Sequence, residues 1–118
     1  MDIRLKRAYE PPEPQDGYRV LVDRLWPRGL RRADACLDEW ARELAPTPEL
    51  RRWFAHDPAR FEEFGRRYLE ELAGHGAELE ELRRRAREGT LTLVYATRDP
   101  VRNSAALLAD VLRGQATS

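Results

Sequence analysis

Two short stretches of the chain hold side chains able to do chemistry. In the first, Asp23, Arg24, Trp26 and Arg28 follow at once on the apolar run Tyr18-Arg19-Val20-Leu21-Val22, before Pro27 and Gly29 set a turn. In the second, Arg98 and Asp99 close the run Thr90 to Thr97, and Asn103 stands four residues after Asp99. Arginine suits planar, bidentate capture of carboxylate or phosphate. Trp26 offers a flat surface for a ring or a stacked guanidinium, and Asp23 or Asp99 is the credible general acid or base if a reaction follows. The ligand such a set suits is small and anionic, a nucleotide or a phosphorylated metabolite. Whether turnover follows binding is not written in these residues.

Each side chain also has a plainer reading. Asp23 and Arg24, or Arg98 and Asp99, can pair with one another or with loop backbone in a purely structural role. Trp26 can be a core plug, and Tyr9, Tyr18 and Tyr95 core or rim residues. His56 precedes a helix-capping Asp57 and reads as a loop anchor, and His75 lies between two glycines on an exposed turn. What favours a site is convergence. If the two apolar runs are neighbouring parallel strands, both sets open on the same edge, where α/β sheets bind ligands. The backbone N–H groups of a helix starting near Arg102 would then face the same crevice.

The elements that must achieve this are legible in outline. Ile3 to Tyr9 alternates as a strand with one face buried. Glu10 to Gly17, with three prolines, is a loop. Tyr18 to Asp23 and Thr90 to Thr97 are apolar enough to be covered on both faces. Thr47-Pro48-Glu49 begins a helix carrying Leu50, Trp53 and Phe54 to about His56. Asp57-Pro58 begins another, with Phe61, Phe64, Tyr68 and Leu72 on one face and Gly74 and Gly76 at its end. Glu78 to Glu88 and Asn103 to Arg113 are two more helices, and the tail Gly114 to Ser118 should fray. Ala33 to Ala45 admits two readings. Leu37, Trp40, Ala41 and Leu44 have helical spacing, while a short helix near Asp34 followed by an extended Asp38 to Ala45 suits the approach to Pro46. The sum is an α/β fold, a small three-layer single domain over residues 1–118. Its mostly parallel sheet has three to four strands, flanked by four to five helices.

Composition bounds the partners. The 118 residues carry 21 basic and 21 acidic side chains, so no global field draws in nucleic acid or an anionic membrane. A local patch does exist, Arg19 to Arg32, with five arginines against Asp23 alone. It supports a nucleic-acid or protein-partner module as the rival to a small-ligand site. No apolar run approaches the ~20 residues of a membrane helix, and no secretory signal opens the chain. The single cysteine, Cys36, permits no intramolecular disulfide and fits a reducing cytoplasm. It is expected to point inward beside Leu37. Two distant histidines and one cysteine give no metal spacing; no cofactor motif of the Walker or dinucleotide type occurs.

The run Asp16 to Gly29, together with Leu44-Ala45-Pro46-Thr47, Leu50-Arg51-Arg52-Trp53-Phe54 and Leu93-Val94-Tyr95-Ala96-Thr97-Arg98-Asp99, resembles the YeaO-like branch of the domain of unknown function 488 family. So do Phe64, Tyr68 and Leu72. The resemblance spans almost the whole chain and implies a compact bacterial-type α/β domain without assigning it an activity. By the same likeness Asp38 to Ala45 would be a strand. Members of the branch often carry His-Asn-His, or Asn followed by His, where this chain has Arg102-Asn103-Ser104. Asn103 is retained and the flanking imidazoles are absent.

Overall fold

Strand β1 (Asp2–Arg7) and strand β2 (Tyr18–Leu21) do not touch each other in the computed structural model, which describes residues 1–99 and 101–114. Strand β4 (Thr90–Tyr95) inserts between them, and strand β3 (Glu39–Trp40) flanks β2. Among the described residues this gives one sheet of order β1-β4-β2-β3 with every pair parallel. Five α-helices accompany it: α1 (Arg32–Ala35), α2 (Pro48–Phe54), α3 (Phe61–Leu72), α4 (Gly76–Glu88) and α5 (Ser104–Leu112). The expected fraying of the tail falls mainly on residues 115–118, and any part of Pro100 in ending β4 on residue 100. Both lie outside the described residues.

Alternation along each strand sorts side chains between two unequal cores. Ile3, Val20, Val22, Leu91, Leu93 and Tyr95 meet α2 to α5 through Leu50, Phe64, Tyr68, Leu72, Leu82 and Leu108. The opposite face presents Ala8, Leu21 and Val94 to Trp26, Leu30, Leu37 and Trp40. A thick helical layer therefore covers one face and a thin layer of loop and short helix the other. Both faces are closed, as an all-parallel sheet requires.

The thin face also holds charge. Lys6 and Arg19 are only 9% and 4% exposed, and both grip Asp16, itself 5% exposed. Lys6 Nζ lies 3.1 Å from each Asp16 carboxylate oxygen, and Arg19 Nη1 donates to Oδ2 at 2.7 Å. Burial is the largest influence on the Asp16 carboxyl and pushes it upward. The Glu13 N–H, Lys6 and Arg19 outweigh it and leave the group below its usual range. Arg19 completes its fork on the Cys36 and Ala35 carbonyls. Arg19 is thus a buried strut, and the basic patch expected over Arg19 to Arg32 loses its first member.

Residues 33–45 resolve in favour of the extended reading. The Asp38 N–H donates to the Arg19 carbonyl and the Ala41 N–H to the Leu21 carbonyl. Such pairing satisfies the outer edge of β2, which a helix here would leave open. The helical spacing of Leu37, Trp40, Ala41 and Leu44 is met instead by β3 and a 3-10 turn, Arg42–Leu44. That arrangement buries Ala41 and Leu44 in the main core and packs Leu37 and Trp40 on the other. Cys36 is exposed and takes a left-handed φ of 48° after α1; the inward position expected for it does not occur, because the chain must reverse there to bring Asp38 beside Arg19.

Helix starts follow their signals. Thr47 caps α2 by accepting the Leu50 N–H, with Pro48 at the first position, and Asp57 accepts the Ala59 N–H to open a 3-10 turn that runs into α3. No helix among the described residues is long and apolar enough to cross a membrane.

Candidate functional site

The chain leaves β2 over the thin face, toward Trp26 and Leu30, and leaves β4 toward α5 on the helical face. Adjacent parallel strands whose continuations part to opposite faces leave a crevice at their carboxyl ends. Here it is a cleft of about 1120 Å³, walled by the β2 exit, the Ala45–Pro46 segment, α2, the β4 exit and the start of α5.

Asp23 sits at the junction. Its Oδ2 accepts the Ala96 N–H at 2.9 Å, and its backbone carbonyl accepts the Trp40 indole N–H at 2.7 Å. The residue ties β2, β3 and β4 together where they end. Burial pushes its carboxyl above the usual range, and the Ala96 N–H and the Arg51 charge offset this only in part. No side-chain bond engages Oδ1 among the described residues. Asp23 and Arg24 do not pair with each other; Arg24 takes the loop backbone instead, donating from Nε and Nη2 to the Pro46 and Ala45 carbonyls at 3.1 and 3.0 Å, and Arg98 has no carboxylate at salt-bridge distance among the described residues.

The other expected site residues divide. Trp26, Arg28 and Arg98 line the cleft beside Asp23 and Arg24. Trp26 is also a packing residue: its N–H donates to the Leu30 carbonyl, its ring meets Trp40 edge-on at 5.5 Å, and Arg32 lies 4.4 Å over its face. Asp99 is not part of the cleft wall. Its Oδ1 accepts the Val101 and Arg102 N–H groups, both at 2.9 Å, and these bonds hold its carboxyl below the usual range. Asn103 reaches the wall but is 4% exposed and spends both side-chain atoms on the backbone. Its Oδ1 caps α5 at Ala106 and its Nδ2 donates to the Asp99 carbonyl. Asp99 and Asn103 shape the turn that delivers Arg98 and Arg102.

Four further arginines line the cleft: Arg7, Arg51, Arg52 and Arg102. With Arg24, Arg28 and Arg98 they make seven guanidinium groups around a single carboxylate. Elsewhere most arginines find acid, while Arg32 and Arg42 stack on Trp26 and Trp40. Glu63 takes Arg66 and Arg67, Glu81 takes Arg84 and Arg85, and Glu80 takes Arg83 and Arg87. None of the seven has such a partner among the described residues. Arg7 bonds the Ala96 and Thr97 carbonyls, anchoring the β4 exit to β1; Arg28, Arg51, Arg52, Arg98 and Arg102 make no side-chain hydrogen bond there. Unpaired guanidinium groups around a concave surface concentrate positive potential and present forked donors suited to phosphate or carboxylate.

Arg51 and Arg52 lie on α2 beside Leu50, Trp53 and Phe54 and are not singled out by the sequence reading. A partial signal was present: Arg51 has no acid three or four positions away, unlike Arg66 and Arg67 of α3 and Arg83, Arg84 and Arg85 of α4. His56, expected to be a loop anchor, also lines the cleft. Ala55 and His56 take φ of 49° and 56° in succession after α2, a conformation that costs energy without glycine and turns the chain back across the mouth. Tyr9 donates its hydroxyl to the Arg28 carbonyl at the rim.

The family model described as the inactive DUF488-N3 subclade matches residues 2–118. The uncharacterized protein YeaO of Escherichia coli (strain K12) is 46% identical over 113 residues, covering 96% of this chain and 98% of that protein. The uncharacterized proteins Mb3100c of Mycobacterium bovis and Rv3073c of Mycobacterium tuberculosis are each 47% identical over 113 residues, covering 96% of this chain and 95% of theirs. No solved structure matches the chain. Matched nearly end to end, the chain belongs to the DUF488 family, on its YeaO-like branch and within the inactive DUF488-N3 subclade.

Proposed function

We propose that the protein binds a small phosphate- or carboxylate-bearing ligand in the cleft at the ends of β2 and β4, with Arg28, Arg51, Arg52, Arg98 and Arg102 as direct donors. Asp23 and Trp26 complete the wall; Arg24, Asp99 and Asn103 act by holding its loops. The observation that carries this is the seven arginines without an acidic partner around one cavity, in a chain whose net charge is zero. Binding without turnover is favoured, since the matching subclade is described as inactive and the imidazoles common beside Asn103 in the branch are replaced by Arg102 and Ser104. The lone exposed Cys36 suits a reducing, cytoplasmic setting.

A nucleic-acid or protein-partner module on Arg19 to Arg32 has less support. Arg19 is buried, Arg31 pairs with Asp34 and Arg32 stacks on Trp26, which leaves Arg24 and Arg28, both cleft residues.

A thermal-shift screen of nucleotides, sugar phosphates and organic acids, followed by calorimetry on the hits, tests the proposal. Arg51→Ala should weaken a hit about tenfold while stability changes by less than about 0.5 kcal/mol. Arg24→Ala should lower stability by about 1 to 2 kcal/mol, because two loop carbonyls lose their donor. No hit in the screen, or hits indifferent to Arg51→Ala, would reject the site.

A further inference from the structure

An acid among seven unpaired arginines is the one feature of the cleft that works against anion binding, and its position defines what the ligand must bring. Asp23 stands between the exits of β2 and β4, at the cleft wall, held by the Ala96 N–H on Oδ2 and by the Trp40 N–H on its backbone carbonyl. Its second oxygen has no side-chain or backbone donor among the described residues, and none of the arginines approaches it to salt-bridge distance. A structural ion pair would have used it, since arginine is abundant on every wall. An acceptor left to solvent inside a cationic cleft is complementary to a ligand hydroxyl or amine that displaces water from it.

Resting on the anion-binding reading above, we propose that the ligand carries two unlike ends: a phosphate or carboxylate met by the arginines and a hydrogen-bond donor met by Asp23 Oδ1. The class that fits is the hydroxylated phosphate monoester, a sugar phosphate or the sugar-phosphate part of a nucleotide. A cleft of about 1120 Å³ accommodates either. Asp23 here is a specificity determinant: an anion lacking the donor leaves the carboxylate facing it with only repulsion, while one bearing the donor turns the same group into an acceptor.

Two isocharged probes separate the ends. Ribose 5-phosphate and methyl phosphate are both monoesters, and only the first carries hydroxyls. Calorimetry on the full chain should show ribose 5-phosphate bound at least about tenfold more tightly than methyl phosphate. Asp23→Asn keeps an oxygen for the Ala96 N–H but replaces the free acceptor with an amide and removes a negative charge. It should abolish the preference while methyl phosphate binds as well as before or better. Equal affinity of the two probes for the native protein, or a preference that survives in Asp23→Asn, overturns the proposal while leaving the anion site standing. Binding of neither probe overturns both. The comparison on the native protein decides the matter by itself if the variant does not fold.

Discussion

Asp23 holds a desolvated carboxyl group at the meeting point of three strands, which makes its ionisation a stability variable as well as a binding one. Its folded-state affinity for protons is raised by burial. The native state therefore keeps a proton over a range where the unfolded chain has released it. The resulting stabilisation is complete below the ordinary carboxylate range, about pH 4, and is lost as the pH climbs through the raised value. Asp23→Asn cannot ionise and should gain on the native protein above that range, with the two converging in acid. Urea unfolding of both from about pH 4 to about pH 8 checks this. Asp16 and Asp99, both lowered, slope the other way but do so in both proteins and cancel in the difference. Parallel curves would show that Asp23 is solvated in the folded state. At this scale the places of Asp23, Arg24, Trp26, Arg28 and Arg98 along the cleft were legible, because strand exits are marked by where apolar runs stop. The capping bonds of Asp99 and Asn103 were not, since they depend on a turn geometry that residue types alone do not fix.

At the level of elements, the cleft exists because β4 lies between β1 and β2 while the 3-10 turn Pro14–Asp16 carries the chain past it. Gly17 makes that passage possible. It takes a φ of 64°, and a Cβ placed there would lie 2.3 Å from the Thr90 carbonyl oxygen, at the first residue of β4. Both the left-handed backbone and the contact forbid a side chain. Gly17→Ala should cost at least about 2 kcal/mol, read as a lowered unfolding midpoint, and an unchanged midpoint would mean that the β2–β4 junction is laxer than described. The helices from Thr47 to Leu112 were largely legible, since caps, prolines and apolar spacing agree along them. Residues 33–45 were not: their apolar spacing fits a helix, and only the unpaired edge of β2, a non-local demand, makes them extended. The same non-local effect buried Arg19 and exposed Cys36.

Over the whole molecule, charge is balanced in number and segregated in space. Acids and arginines pair along the outer faces of α3 and α4, while the arginines at the strand ends are left without acids. A net charge of zero concealed this, because composition counts charges without saying which ones neutralise each other. The parallel sheet, and with it the edge on which the two strand exits open, was foreseeable from two doubly apolar runs; the contribution of α2 to the wall was not, since nothing local ties Arg51 to Arg98. The most direct test of the central claim is a ¹⁵N–¹H correlation titration of the full chain with pyrophosphate at about physiological ionic strength, where exposed charges are screened beyond roughly 8 Å. Saturable shifts confined to amides of residues 22–28, 51–56 and 96–104 are the expected result. Shifts absent, or scattered over the paired faces of α3 and α4, would contradict a binding cleft at the ends of β2 and β4.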